Sequence, residues 1–212
     1  MFAARSKSSV RGFEILELPA DDHPRQVIFE SQLERKTLLT LCALPEIWNV
    51  FDQPARITFE GFTGKTETHI PDYLAEYKSG LRVAVAVKPF KQVQKLNFRA
   101  TLRAVEKSMP QSFADRLFLV TEKNLHPAEV RNAEFLSMCR RCKDREADDA
   151  VAQVISALSG EERIQDLVCK TRLNGRGFRA IFRAIYSGNL HADRRKYITP
   201  QSLVTVSEGP AC

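Results

Sequence analysis

Residues 70–89 read IPDYLAEYKSGLRVAVAVKP, and this stretch decides the fold. The half that follows the Lys-Ser-Gly turn is almost purely apolar, which predicts a strand buried on both faces. The half before the turn is rich in β-forming residues and predicts a neighbouring strand. Asp72 lies at the start of the first strand and Lys88 at the end of the second. The sequence therefore predicts two adjacent strands with an acid and a base at their ends.

The flanking segments predict a compact α/β domain with a mixed sheet. Apolar residues recur at helical spacing from Phe29 to Leu44, with Ser31 as a candidate N-cap. Further helices are expected at 95–105 and 127–139, and strands at 48–51, 56–59, 69–77, 81–87 and 117–120. We expect this domain to cover residues 25–145, after an N-terminal arm of residues 1–24.

A second, basic domain is expected over residues 146–212. Three short amphipathic helices, at 151–158, 164–173 and 177–186, precede a β-rich segment at 197–206, an order typical of a winged helix. Residues 163–196 hold nine Lys or Arg against two acids, so +7 lies in this segment of a chain whose net charge is +6. Clustered positive charge is typical of surfaces that contact phosphate. The candidate DNA contacts are Arg172, Arg176, Arg179 and Arg183, with Lys91 and Lys95 in the first domain.

The composition favours a globular cytosolic protein. Hydrophobic residues make up 43% and charged residues 27% of the 212 residues. No apolar run approaches the roughly 18 residues of a membrane helix, and the first residues lack a signal core. We therefore expect no membrane partner, and we expect the five cysteines to be reduced thiols. The pair Cys139 and Cys142 has no second CxxC, so no zinc site is predicted.

Glu34, Asp72 and Lys88 form one candidate catalytic site. Mg²⁺ prefers oxygen ligands, which an aspartate at a strand end and a glutamate on the preceding helix can supply. A lysine two residues beyond a strand ligand lies on the same face. There it can orient a nucleophile and stabilise the charge that develops on a phosphate. This combination indicates a metal-dependent phosphodiesterase.

The sequence resembles the PD-(D/E)xK nuclease superfamily and, within it, TnsA, the endonuclease subunit of heteromeric transposases. The matching pieces are FESQLERKTLLTL, NVFDQPARITFEG, HIPDYLAEYKSG and VAVKPF. The resemblance implies a restriction-endonuclease-like mixed sheet flanked by helices, a small α+β winged-helix domain, and Mg²⁺ or Mn²⁺ as cofactor. It assigns the helix glutamate to Glu34, the metal aspartate to Asp72 and the catalytic lysine to Lys88.

The resemblance also implies a reaction and its partners. TnsA proteins cut the non-transferred strand of double-stranded DNA at the 5′ ends of a transposon during cut-and-paste transposition. A TnsB-like DDE transposase makes the 3′ cuts and joins, and a TnsC-like AAA+ regulator activates the pair. CRISPR-guided transposons include TnsA subunits of similar length.

Ala86 departs from the family pattern. The family has Glu, Asp or Gln at this position, and a methyl group cannot ligate a metal. We therefore expect the chain as it stands to bind metal weakly and to cleave slowly, if at all. An engineered replacement is favoured over natural loss, because the other matching residues are retained. Two further functions stay open: a non-catalytic nuclease-fold protein that serves as DNA-binding scaffold, and a free-standing phage or restriction-type nuclease.

Overall fold

The computed structural model describes residues 10–206, which divide into two compact units. Unit 1 contains the described residues up to 42 and residues 46–125, and unit 2 contains residues 43–45 and 126–206. The division after residue 125 differs from the expected boundary at 145. The reason is that the helix after residue 126 packs on a helix of unit 2.

Unit 1 is a mixed α/β unit, as predicted. Its elements are β1 (Gly12–Leu16), β2 (Arg25–Phe29), α1 (Gln32–Cys42), β3 (Ile47–Asp52), β4 (Ile57–Glu60), β5 (Thr66–His69), β6 (Tyr73–Tyr77), β7 (Arg82–Val87), α2 (Phe90–Lys95), α3 (Phe98–Ser108) and β8 (Arg116–Val120). The main sheet has the order β3-β6-β7-β8. The first two pairings are antiparallel, and the β7–β8 pairing is parallel.

The stretch quoted first forms β6 and β7 at the centre of this sheet. All residues from Val83 to Val87 are buried, which confirms the prediction that both faces of β7 are covered. One face packs against α3 through an apolar cluster that includes Ala86 and Phe98. On the same face, Leu74 of β6 packs with Ala84 and Ala114. Because both faces of β7 are buried, packing fixes the strand ends where Asp72 and Lys88 lie.

The predicted N-terminal arm is wrong for residues 10–24. β1 pairs with β2 in an antiparallel hairpin that belongs to unit 1. Glu14 of this hairpin is buried and contacts Arg35 of α1 at 2.7 Å, so a charge that suggested a solvated arm is neutralised inside the unit. Phe29 belongs to β2, so the helix begins at Gln32 and not at Phe29. Residues 1–9 of the predicted arm lie outside the described residues.

Unit 2 combines four helices with a small sheet. Its elements are α4 (Pro127–Arg141), α5 (Arg145–Ser156), β9 (Glu162–Arg163), α6 (Ile164–Thr171), α7 (Gly175–Ser187), β10 (Leu190–Ala192) and β11 (Leu203–Val206). The three strands are antiparallel in the order β10-β11-β9. The strand expected at 197–206 is shorter than predicted, and a loop of residues 193–202 precedes it.

Helix α7 is the core of unit 2. Its Ile181, Phe182 and Ile185 are almost fully buried. Helices α4, α5 and α6 all pack on α7. The ring of Phe135 on α4 meets the ring of Phe182 on α7 at a centroid distance of 4.6 Å. Because α4 covers it, most of α7 is not available as an exposed DNA-contacting helix. This outcome corrects the expectation of a free basic face on α7.

Candidate functional site

Asp72 lies where three strands of the main sheet meet. It directly precedes β6, and its main-chain oxygen accepts a hydrogen bond of 3.0 Å from the N–H of Gln53, just after β3. Its Oδ2 accepts a 2.6 Å hydrogen bond from the N–H of Val87 at the end of β7. In the antiparallel register of β6 and β7, Tyr73 pairs with Val85, so the next pair outward places Asp72 opposite Ala86. The backbone therefore holds this carboxylate in one place.

The Asp72 carboxyl has a perturbed pKa. Burial is the main reason that the pKa is raised from 3.8 to about 6. The Val87 hydrogen bond and the positive charge of Lys88 act against this rise, and the negative charge of Glu34 adds to it. The three candidate residues therefore lie close enough to act on one another electrostatically. Groups perturbed in this way are typical of functional sites.

Lys88 follows β7 on the face that carries Ala86, since strand residues two apart point to the same side. Its main-chain N–H donates to the carbonyl of Val120 at 3.0 Å, which extends the pairing with β8. Its Nζ lies 4.4 Å from the centroid of the Phe98 ring, a cation–π contact. The structure thus brings Lys88 and Asp72 to one face of neighbouring strands.

Glu34 has a structural role at the start of α1. Its N–H donates to Ser31 Oγ at 3.2 Å, and its Oε1 accepts from the same hydroxyl at 2.8 Å. Its Oε2 accepts a 2.7 Å hydrogen bond from the N–H of Glu30. This is a form of capping box, which supplies partners to the otherwise unpaired N–H groups of a helix start. It agrees with the prediction that Ser31 caps the helix.

Ala86 is enclosed by apolar side chains. Its exposure is 0%, and it packs with Val93, Phe98 and Leu102 from the helices that follow. Position 86 is therefore part of the apolar core of unit 1.

The residues present do not make a complete Mg²⁺ site. Both oxygens of Glu34 and one oxygen of Asp72 already accept protein hydrogen bonds, and Ala86 offers no donor atom. Among residues 10–206, no group of three or more His, Cys, Asp or Glu side chains is arranged to hold a metal ion. Mg²⁺ demands near-ideal octahedral geometry from oxygen ligands, and this donor set falls short of it.

Phe98 and His69 also lie at the site, although the sequence pattern singled out neither of them as a functional residue. The ring of His69, at the end of β5, meets the ring of Phe98 edge-on at a centroid distance of 5.7 Å. Burial and the charge of Lys88 lower the pKa of His69, which favours the neutral imidazole. Its Nε2 is buried and has no hydrogen-bond partner among the described residues. Phe98 belongs to the ordinary apolar stripe of α3, so sequence pattern alone could not single it out.

No family model matches this chain. No curated protein is detectably similar to it either. Among the helices that the structure describes, none is both long and apolar enough to cross a membrane. A function can therefore be inferred only from the geometry of the molecule, above all from that of Glu34, Asp72 and Lys88.

Two of the four predicted DNA-contacting arginines are occupied inside unit 2. Arg176 donates to both carboxylate oxygens of Asp144, at 2.8 and 2.9 Å, and to Glu146 at 2.6 Å. Arg183 donates from Nε to Asp148 at 2.7 Å and from Nη1 to the carbonyls of Cys139 and Cys142. These arginines face the acidic first turn of α5, so they hold helices together. Helical spacing alone did not reveal that acids from residues 144–148 would face them.

The other predicted contacts are exposed. Arg172 ends α6 in the left-handed conformation, with φ of 58°, and Arg179 projects from the first turns of α7. Lys91 and Lys95 lie exposed on α2 in unit 1. All four remain predictions as DNA contacts, and the structure leaves their side chains accessible.

The last cations of the basic segment 163–196 lie on a loop in unit 2 and were not among the predicted DNA contacts. This loop links β10 to β11, and the side chains of Arg195 and Lys196 are 83% and 82% exposed. Asn132, buried on α4, fixes the loop backbone by donating to the carbonyls of Arg194 and Lys196 and by accepting from the N–H of Ile198. A preordered backbone with exposed cations lowers the entropy cost of a phosphate contact. The buried asparagine on a distant helix could not be linked to this loop from the sequence.

Proposed function

We propose that this chain is the nuclease-fold subunit of a heteromeric cut-and-paste transposase, of the kind that TnsA represents. The observation that carries the proposal is the placement of Asp72 and Lys88 on one face of adjacent strand ends, with Glu34 close enough to influence the pKa of Asp72. In the family, such a subunit cuts double-stranded DNA at transposon 5′ ends with Mg²⁺ or Mn²⁺. A TnsB-like DDE transposase and a TnsC-like AAA+ regulator are the proposed partners, in the bacterial cytosol.

The topology of both units supports this proposal. In unit 1, helix α1 precedes the sheet strands β3, β6 and β7, and helices α2 and α3 lead to the parallel strand β8. This order agrees with the restriction-endonuclease-like sheet that the resemblance implies. In unit 2, α5, β9, α6, α7, β10 and β11 agree with the element order of a winged helix. Helix α4, which covers α7, departs from a bare winged helix. We therefore propose that the basic loop of residues 193–198 contacts DNA phosphate in its place.

The chain as it stands is proposed to bind DNA without cutting it efficiently. Lys88 offers a positive charge to a phosphate at the strand ends, and Asp72 is a carboxylate fixed by the Val87 N–H. With Ala86 between them, the site lacks the third oxygen ligand that the family pattern supplies.

A second candidate function is a DNA-binding scaffold that does not cut. The enclosure of Ala86 by Val93, Phe98 and Leu102 favours it, because an alanine suits this apolar environment better than a carboxylate does. The same observation favours a native alanine over the engineered one that we expected. The residue encoded at position 86 in the native gene distinguishes these two origins directly.

Substitution at position 86 tests the proposed function. Ala86→Glu and Ala86→Gln each supply an oxygen ligand, so we expect Mn²⁺- or Mg²⁺-dependent nicking of transposon-end DNA in the presence of the two partner proteins. Ala86→Met is the matched control, because it adds similar volume without an oxygen. The double variant Ala86→Glu/Asp72→Asn should lose the gained activity while still binding DNA.

The fold of each variant is checked by the fluorescence of Trp48, the single tryptophan, which lies on β3. Folded Ala86→Glu and Ala86→Gln proteins that stay inactive with all partners present would contradict the nuclease proposal. Activity in Ala86→Met would show that cleavage does not use an oxygen ligand at this position, which would contradict the proposed site.

A further inference from the structure

An apolar groove lies between the C-terminal half of α4 and the first turns of α7. Its volume is about 450 Å³, within the range of protein ligand sites. Phe135 and Phe178 line it, with ring centroids 6.0 Å apart, and the largely buried Phe182 supports both rings. Met138 lies at the edge with 55% exposure. The groove therefore presents fixed aromatic rings and one adaptable thioether.

The rim of the groove is positively charged. Arg141 and Arg179 line it, and no acidic side chain is among its described lining residues. Asp144 and Glu146, the first acids after Arg141 along the chain, form ion pairs with Arg176. Gly175, in the first turn of α7, also lines it, and Nη1 of Arg179 lies 3.8 Å from the place that a Cβ of Gly175 would take.

The composition of the groove points to a protein partner. Phe, Met and Arg are enriched at protein–protein interfaces, and Met gives binding surfaces that adapt to different apolar side chains. A nucleic acid would gain little from the apolar floor, because its phosphates need cations along a surface. A peptide that carries both acids and a large apolar side chain satisfies the floor and the rim together.

We propose that this groove, the α4–α7 groove, binds an acidic segment of a partner protein that inserts an aromatic or large aliphatic side chain between Phe135 and Phe178. Carboxylates next to that anchor pair with the exposed Arg179 at the rim. The surface lies apart from Glu34, Asp72 and Lys88 along the chain and in a different unit. The inference holds whether or not the chain cuts DNA.

Methionine-methyl NMR of the full chain tests the proposal. The chain has three methionines: Met138 lies at the groove, Met109 lies in unit 1 and serves as internal control, and Met1 is outside the described residues. The Met138 signal is assigned with Met138→Leu. Three synthetic peptides serve as probes: EDFLDELE, its basic counterpart KKFLKKLK, and EDSSDESE, which keeps the acids but lacks the apolar anchor.

Only EDFLDELE should shift the Met138 methyl signal in a saturable manner, with the Met109 signal unchanged. We expect the other two peptides to bind at least about tenfold more weakly, since each lacks one of the two interactions. Arg179→Glu should weaken binding of EDFLDELE about tenfold and improve binding of KKFLKKLK. Arg163→Glu, an exposed charge reversal away from the groove, is the matched control and should change neither affinity.

Several outcomes would overturn the proposal. They are an unshifted Met138 signal at about 1 mM EDFLDELE, equal binding of the acidic and basic peptides, and a peptide-induced shift at Met109 instead of Met138. A shift of Met138 by duplex DNA but not by EDFLDELE would assign the groove to DNA and would equally overturn it. An Arg179→Glu variant that keeps the far-UV circular dichroism of the parent and binds EDFLDELE unchanged would remove the charge argument.

Discussion

At the scale of single residues, Asp72 combines burial with charge. A pKa raised above the value of an unfolded aspartate means that the folded chain binds the proton more tightly than the unfolded chain does. The free energy of unfolding contributed by this group is therefore highest below pH 4 and falls as the pH rises towards about 6. The difference between 3.8 and about 6 corresponds to about 3 kcal/mol at most.

The variant Asp72→Asn should remove this pH dependence. Asparagine can still accept the hydrogen bond from Val87 and carries no charge, so we expect it to raise the free energy of unfolding by about 1–3 kcal/mol at pH 8. The gain should vanish near pH 4. Urea unfolding followed by Trp48 fluorescence at several pH values measures it. Asp22→Asn, an exposed aspartate, is the control, and an equal gain in that variant would contradict a specific role of Asp72 burial.

At the scale of elements, α1 depends on its capping box. Ser31→Ala removes the hydroxyl that accepts a hydrogen bond from the N–H of Glu34 and donates one to its carboxylate. We expect a loss of about 1 kcal/mol in the free energy of unfolding. Ser31→Thr keeps the hydroxyl and should lose little. The same Trp48 assay applies. If Ser31→Ala and Ser31→Thr were equally stable, the box would contribute nothing to the helix.

Arg183 joins three helices of unit 2 and should matter more than its neighbour Arg176. Its side chain is only 12% exposed, and its loss removes the hydrogen bonds that it donates to the carbonyls of Cys139 and Cys142 at the end of α4. We expect Arg183→Gln to cost about 2–3 kcal/mol of unfolding free energy, and Arg183→Lys to recover only part of it because lysine lacks the planar fork. Arg176→Gln, at a more exposed ion pair, should cost less than about 1 kcal/mol. Thermal unfolding followed by circular dichroism compares the three, and the reverse ranking would contradict this assignment.

At the scale of the whole molecule, we expect the contribution of a positive charge to DNA binding to depend on where it lies. Arg195→Gln/Lys196→Gln removes two exposed cations of the Asn132-anchored loop, whose ion pairs with Glu129 and Asp193 are exposed and easily exchanged. If both contact phosphate, the slope of log affinity against log salt for duplex DNA should flatten by about 1.8. Arg145→Gln/Arg163→Gln removes the same charge from two exposed positions elsewhere in unit 2 that are not predicted DNA contacts. Equal flattening by both pairs would show that net charge, and not this loop, determines binding.

The sequence predicted the sheet of unit 1 better than the surfaces of unit 2. Apolar runs from 81 to 87 and from 117 to 120 have few alternatives, so both strands were found within a residue or two. Burial was predicted correctly only for the first: β8 is partly exposed, with Phe118 at 51%, so the prediction of a buried strand there was wrong. The sequence pattern could not predict which residues far apart in the chain would be in contact. The ion pairs of Arg183 with Asp148 and of Arg35 with Glu14 are examples. The same limit applies to Ala86: the sequence identified the missing ligand, and only packing showed the apolar side chains around it.

The capping contacts of Glu34 have a consequence for tracing the ancestry of such proteins. A carboxylate that starts a helix is selected for stability even in a lineage that no longer cuts DNA. Glu34 would therefore persist after catalysis is lost, and its presence would be a poor record of activity. At position 86, by contrast, the apolar cluster favours a small apolar residue once cleavage no longer matters. Among descendants of one nuclease ancestor, the residue at position 86 should separate the cutting lineages from the silent ones.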